Sequence, residues 1–99
     1  MVPLTEYFIS SVKYNFEHTQ IISVTRHLYQ SGNIARGNIV NRSIVLDDLR
    51  NGLKYKTIYR TPDGKWKIGK EIQIIPNTEF ITTNPDVITK DDLGMLPEF

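Results

Sequence analysis

The chain has 99 residues with 12 Lys and Arg against 11 Asp and Glu, so its formal net charge of +1 identifies no class of partner. This length supports one modest hydrophobic core, which disfavours enzymes that need a deep cleft between two domains. With 39% apolar and 23% charged residues, the chain is expected to fold as one globular domain over residues 1–99.

Cysteine is absent, which removes disulfides, thiolate metal sites and cysteine nucleophiles and is typical of a reducing compartment. The first residues lack the basic and apolar regions of a signal peptide. No apolar run approaches the roughly 20 residues that span a bilayer. We therefore expect a cytoplasmic protein without a membrane partner.

Two segments rich in β-branched and aromatic residues predict two strands, over residues 7–14 and 20–29. Arg26 interrupts the apolar face of the second strand and is expected at an edge or with its guanidinium extended to solvent. The opposite face of this strand is polar, as in a half-buried strand, and is expected to carry Ser23, Thr25 and His27.

Residues 30–41 are rich in glycine and asparagine and predict a long loop. A short helix is predicted over residues 44–51, with Ser43 as its N-terminal cap and Gly52 as its C-terminal stop. Its buried stripe would consist of Leu46, Leu49 and Leu53.

A hairpin is predicted from strands over residues 53–60 and 65–75, joined by the turn residues 61–64. Keeping the apolar residues together favours an even loop of two or four residues, with paired residue numbers that sum to 127. One face then carries the pairs Leu53–Ile74, Tyr55–Ile72 and Tyr59–Ile68, and the other face carries Lys56–Glu71 and Arg60–Lys67.

A last strand over residues 79–83 leads to an acidic tail over residues 84–99, which is expected to dock on the core through Leu93, Leu96 and Phe99. The order ββαβββ predicts an α+β fold, in which one short helix packs on an antiparallel sheet of about five strands. Both an open sheet and a small barrel are consistent with this order.

No motif for catalysis or metal binding is evident. His18 and His27 are the only histidines, and no further ligands are spaced to complete a metal site with them. The serines lack a nucleophile motif, the glycines form no phosphate loop, and the acidic tail lacks calcium-loop spacing. We therefore expect no enzymatic activity, no catalytic residues, no metal and no cofactor.

Charge is unevenly distributed, with a net +5 over residues 51–70 and −5 over residues 71–99. Basic strands with interleaved aromatic residues bind single-stranded nucleic acid in small sheets. However, the predicted register turns Tyr55 and Tyr59 away from the lysines. The candidate binding residues of this basic hairpin are Lys54, Lys56, Arg60, Lys65 and Lys67.

The C-terminal residues form a motif of Lys90-Asp91-Asp92-Leu93, two residues, Leu96-Pro97 and a final aromatic residue. This ending resembles that of a family of small bacterial proteins of unknown function, in which asparagine usually stands at the position of Asp92. Similar segments lie at residues 9–12, 48–52, 55–57 and 67–72. The resemblance implies a compact cytoplasmic domain of bacterial or phage origin with no assigned catalytic residues.

These observations favour a non-enzymatic binding module that contacts another protein through its sheet face or the 30–41 loop, as a monomer or simple homodimer. One alternative is single-stranded nucleic-acid binding through the 54–70 hairpin. Another is a phage-type inhibitor of a host nucleic-acid enzyme.

Overall fold

One helix packed on a seven-stranded sheet forms the fold in this computed structural model, which describes residues 6–30, 32–75, 80–83, 91, 93, 94 and 96–99. The elements in chain order are β1 (Glu6–Tyr14), β2 (Ile21–Gln30), β3 (Asn33–Ile34), β4 (Asn38–Asn41), α1 (Arg42–Arg50), β5 (Lys54–Arg60), β6 (Trp66–Ile74) and β7 (Ile81–Thr82). The predicted α+β class with one short helix is confirmed, and the sheet is open.

The strand order is β3-β2-β1-β5-β6-β7, and β4 also pairs with β2. The sheet is mixed rather than wholly antiparallel, because β5 runs parallel to β1. The chain reaches this position after β4 and α1, so β5 enters the sheet beside β1 and not beside the strand that precedes it. A parallel pair needs such a crossover connection, which the strand order alone did not indicate.

The segment predicted as a loop over residues 30–41 contains two short strands, so that prediction is wrong for β3 and β4. β3 pairs with the end of β2, and β4 pairs with its central residues. The physical reason is that backbone groups along the outer edge of a strand need hydrogen-bond partners. Short flanking strands supply them although the segment lacks an apolar alternation.

The helix α1 begins earlier than predicted, because Asn41 is its N-cap residue and makes no side-chain capping hydrogen bond. Ser43 therefore lies inside the helix and is exposed, which contradicts its predicted role as the cap. The C-terminal stop at Gly52 is confirmed. Gly52 has a φ of +84°, its N–H donates to Leu49 O at 3.1 Å, and the next N–H donates to Asp48 O at 2.9 Å.

The core lies between α1 and the facing side of the sheet. Its buried residues are Ile9, Val12, Ile21, Val24, Val45, Leu46, Tyr55, Ile72, Ile81 and Leu93. Arg26 lies on this side instead of reaching solvent. Its guanidinium donates to Asp48 at 3.1 Å and to the Tyr55 hydroxyl at 3.2 Å, and lies 4.2 Å from the centre of the Tyr7 ring.

The Tyr55 hydroxyl links the sheet to α1 by donating to Asp48 Oδ2 at 2.5 Å. Burial and this hydrogen bond raise the pKa of Tyr55 well above its ordinary value, against the opposing effect of Arg26. The stabilisation of the fold by this hydrogen bond is therefore present below about pH 10, where tyrosine is protonated in the unfolded chain, and is lost as the pH rises further.

We expect Tyr55→Phe to lower the free energy of unfolding by about 1 kcal/mol at neutral pH and to make its decline at alkaline pH less steep. Urea unfolding across this pH range measures both effects, and an unchanged decline would contradict the assignment.

The β5–β6 hairpin changes register along its length. Tyr55 pairs with Ile72 and Lys56 with Glu71, as predicted, but the pairs nearer the turn are Ile58–Ile68, Tyr59–Lys67 and Arg60–Trp66. A β-bulge causes the shift, because Gly69 and Lys70 together lie opposite Thr57. The predicted pairs Tyr59–Ile68 and Arg60–Lys67 are therefore wrong, and the loop between the strands has an odd length.

Candidate binding site

The five candidate binding residues of the hairpin do not form one surface. Arg60 pairs with Trp66 across the hairpin, whereas the next pair is Tyr59–Lys67. Because successive residues of a strand point to opposite faces, Arg60 and Lys67 lie on different faces of the sheet. Lys56 is half-buried and lies 3.5 Å from Glu6. Lys54 is exposed at the start of β5, and Lys65 is exposed in the loop just before β6, at the other end of the hairpin.

The acidic tail does not neutralise this hairpin where the structure describes it. Asp91 pairs with Arg42, and Glu98 pairs with His18 at 2.9 Å. Leu93 is buried in the core and Leu96 packs against it. Phe99, however, is 47% exposed, so it is not the predicted docking residue. The tail reaches the sheet here through its backbone, because the Val12 N–H donates to Pro97 O at 2.9 Å.

The outer edge of β6 over residues 66–71, which we call the free edge, has no paired strand among the described residues. β6 pairs with β5 on one side, and on the other side β7 pairs only with Gln73 and Ile74. Three exposed lysines lie along or beside this edge: Lys65, Lys67 and Lys70. Such an edge presents backbone N–H and C=O groups that can pair with another chain.

An open cleft of about 440 Å³ lies beside the free edge. β1 pairs with β5 over its first half, from Glu6 to Ile9, but further along it forms a bridge from Val12 to Glu98 of the tail. The hairpin and the tail therefore diverge from one shared strand, and the cleft lies between them. Its lining comprises Thr57, Tyr59, Gly69, Lys70, Thr83, Leu93, Gly94 and Leu96.

The sheet face opposite the helix carries a polar cluster around His27. Ser10 is the extra residue of a bulge in β1, and its hydroxyl lies 2.8 Å from His27 Nε2. The other ring nitrogen lies 2.9 Å from the Ala35 carbonyl oxygen. A Cβ at Gly37 would lie 2.8 Å from the ring, so the 35–37 segment packs closely on it. His27 is consequently only 8% exposed, although it lies on the polar face of β2.

The Ser10–His27 pair resembles a nucleophile hydrogen-bonded to a base. The His27 ring is almost enclosed by the 35–37 segment and by Trp66, whose ring centre lies 5.4 Å from that of His27. Both ring nitrogens are already engaged with protein groups. We therefore assign this cluster to holding the connection between β3 and β4 on the sheet.

Sequence reasoning did not find the ion pair between Arg42 and Asp91. Both residues are buried, and the carboxylate accepts from Arg42 Nε at 2.8 Å and from Nη2 at 3.1 Å. A positive charge in the first turn of a helix opposes the helix dipole, and α1 has no acidic residue there. That unfavourable placement is the one local signal that Arg42 has a distant partner.

No protein-family model, curated protein or solved structure matches this chain. The predicted resemblance of the C-terminal motif to small bacterial proteins therefore stays a prediction and gives no residue roles to carry over. The function of this protein must be argued from the free edge, the cleft and the charges around them.

Within the described part of the chain, no group of three or more histidine, aspartate or glutamate side chains is arranged to hold a metal ion. No helix there has the length and apolar character required to cross a membrane.

Proposed function

We propose that this protein is a non-enzymatic binding module that takes up an extended acidic segment of another protein along the free edge of β6. The observation that carries this proposal is a strand edge that no described residue pairs with and that is flanked by Lys65, Lys67 and Lys70. An added strand would form main-chain hydrogen bonds with that edge, as in other complexes formed by β-strand addition.

Charge determines which strand this edge accepts. The acidic residues closest to this edge in the sequence are Asp63 in the turn and Glu71 at the end of the free edge, so the edge itself is predominantly basic. Like charges directly opposite each other destabilise a strand pair, which disfavours pairing of two copies through this edge. An acidic segment has the complementary charge and would be steered toward the lysines at low salt.

A labelled heptapeptide of alternating glutamate and threonine is a direct probe for this site, and its binding can be measured by fluorescence anisotropy. We expect Lys67→Glu/Lys70→Glu to weaken binding by at least about tenfold, because two attractive contacts become repulsive. Lys13→Glu/Arg36→Glu is the matched control, since both residues are exposed and lie outside β6. Amide hydrogen exchange should slow along residues 66–71 when the peptide binds.

Equal losses of peptide affinity in the two charge-reversal variants would show that the attraction between the peptide and the protein is non-specific, which would overturn the proposal. Absence of binding, or binding without protection of the β6 amides, would also overturn strand addition at this edge.

Single-stranded nucleic acid is a second candidate ligand, favoured by the pairing of Arg60 and Trp66. The bulge places both on one face, with the guanidinium 4.3 Å from the centre of the indole ring. This arrangement joins a cation and an aromatic group, which the predicted register had separated. A labelled oligothymidine titrated over a range of salt concentrations tests it. Salt-dependent binding that Trp66→Ala removes, together with no peptide binding, would favour nucleic acid over the acidic segment.

A further inference from the structure

The cleft beside the free edge indicates which kind of residue a bound acidic segment must contain. Gly69 and Lys70 belong to both features, since they form the bulge of β6 and also line the cleft. Gly69 has no side chain, so nothing at that position separates the edge from the cleft. A strand added along the edge would therefore pass directly beside the opening.

The lining of the cleft suits an apolar group with acidic neighbours. Leu93 and Leu96 contribute apolar surface from the tail, and Thr57 and Thr83 contribute small side chains. Among the described residues of the lining, Lys70 is the one cation. Lys67 lies on the same face, because it pairs with Tyr59, which also lines the cleft.

We infer that the bound segment inserts one large apolar side chain into this cleft and presents acidic side chains two positions away to Lys67 and Lys70. Side chains two positions apart share a face of a strand, so the apolar anchor and its acidic neighbours must alternate with residues of the other face. This inference rests on the proposed function and specifies its partner. Main-chain pairing would supply affinity, and the cleft would supply specificity.

The test compares three heptapeptides derived from the glutamate–threonine probe. One has phenylalanine in place of a central glutamate, and its charge-matched control has serine at that position. The third has phenylalanine in place of a central threonine, on the opposite face. We expect the first to bind about tenfold or more tightly than the serine control, because the ring leaves water in the cleft. The third should gain much less, since its ring and its acidic residues cannot engage the cleft and the lysines together.

Two protein variants locate the effect. Thr83→Trp fills the cleft and is expected to abolish the preference for phenylalanine over serine. Thr83→Ser is the matched control and should retain the preference. Tyr59→Ala removes one wall from a half-exposed position, and a reduced preference in this variant gives an independent reading if Thr83→Trp does not fold.

Equal binding of the phenylalanine and serine peptides, with sensitivity to Lys67→Glu/Lys70→Glu preserved, would overturn the cleft assignment and leave strand addition standing. A preference that Thr83→Trp does not change would place the ring elsewhere and also overturn it. Failure of every peptide to bind would overturn the proposed function, and the anchor inference with it.

Discussion

Replacing Asp91 with alanine is expected to lower the free energy of unfolding by about 3–5 kcal/mol, because it leaves the buried guanidinium of Arg42 without its carboxylate. The loss extends beyond the ion pair. The same carboxylate accepts the Ile21 N–H at 2.7 Å and the Ile81 N–H at 2.9 Å, so both backbone groups would lose their acceptor. A domain of this size is stable by only about 5–15 kcal/mol. We therefore expect unfolding at much lower urea concentration, measured by the fluorescence of Trp66 and by circular dichroism.

Asp91→Asn removes the negative charge and keeps nearly the same side-chain volume, so it distinguishes the two contributions to stability. The amide keeps the shape, but one acceptor oxygen becomes a donor that faces other N–H groups, so most of the loss should remain. Glu98→Ala is the control, because its 2.9 Å contact with His18 is exposed and is expected to contribute less than about 1 kcal/mol. A loss in Asp91→Ala no larger than in Glu98→Ala would contradict a central role for this carboxylate.

The Arg42–Asp91 pair also shows where sequence reasoning stops. The sequence shows that the tail is acidic, but this negative charge is no reason to select Asp91 from its neighbours. The two partners are separated by 49 positions, and their distance depends on where β2, α1 and β7 place the chain. Burial turns this aspartate from a solvated charge into an acceptor for three different segments. No local pattern contains that information.

The helix and the long strands could be predicted because their signals are local. The β-branched and aromatic residues of β1 and β2, and the glycine after α1, are such local signals, and these elements lie within a few positions of their predicted bounds. The parallel pairing of β1 with β5 depends on the path of the chain through α1, which alternation does not record. The divergence of the hairpin and the tail from β1, and hence the cleft between them, could not be predicted for the same reason.

The predicted register of the hairpin is wrong because of one residue, and that residue has a recognisable signal in the sequence. Counting pairs from the apolar face assumes an uninterrupted ladder, and this gave the correct partners for Tyr55 and Lys56. Gly69 inside β6 is the kind of isolated strand glycine that often marks a bulge. The bulge lets an odd loop coexist with the predicted partners of Tyr55 and Lys56, because the extra residue corrects the register by one before Lys56 is reached.

Gly69→Ala is expected to destabilise the protein by about 1–3 kcal/mol through overpacking at this bulge. A methyl group at position 69 would overlap Thr57 Oγ1 and would lie 3.2 Å from the Thr57 carbonyl oxygen. Thr57 is buried, and its hydroxyl accepts the Lys70 N–H at 3.1 Å, so the oxygen cannot move away without losing a hydrogen bond. Urea unfolding of the variant measures the cost.

A double-mutant cycle with Thr57→Ala identifies the source of that cost. Thr57→Ala alone removes the overlapping oxygen and leaves the Lys70 N–H without its acceptor, which should cost about 1 kcal/mol. In that background Gly69→Ala should cost much less than in the native protein, because the overlap with Oγ1 is gone and the closest remaining contact is the one with the backbone oxygen. If the two losses simply add, the glycine is required for its backbone conformation and not for the space beside Thr57. A smaller cost of Gly69→Ala in the Thr57→Ala background would instead show that the Thr57 hydroxyl and the bare backbone at Gly69 hold the bulge together. The bulge in turn produces the register shift that places Arg60 opposite Trp66 and Lys67 beside the cleft.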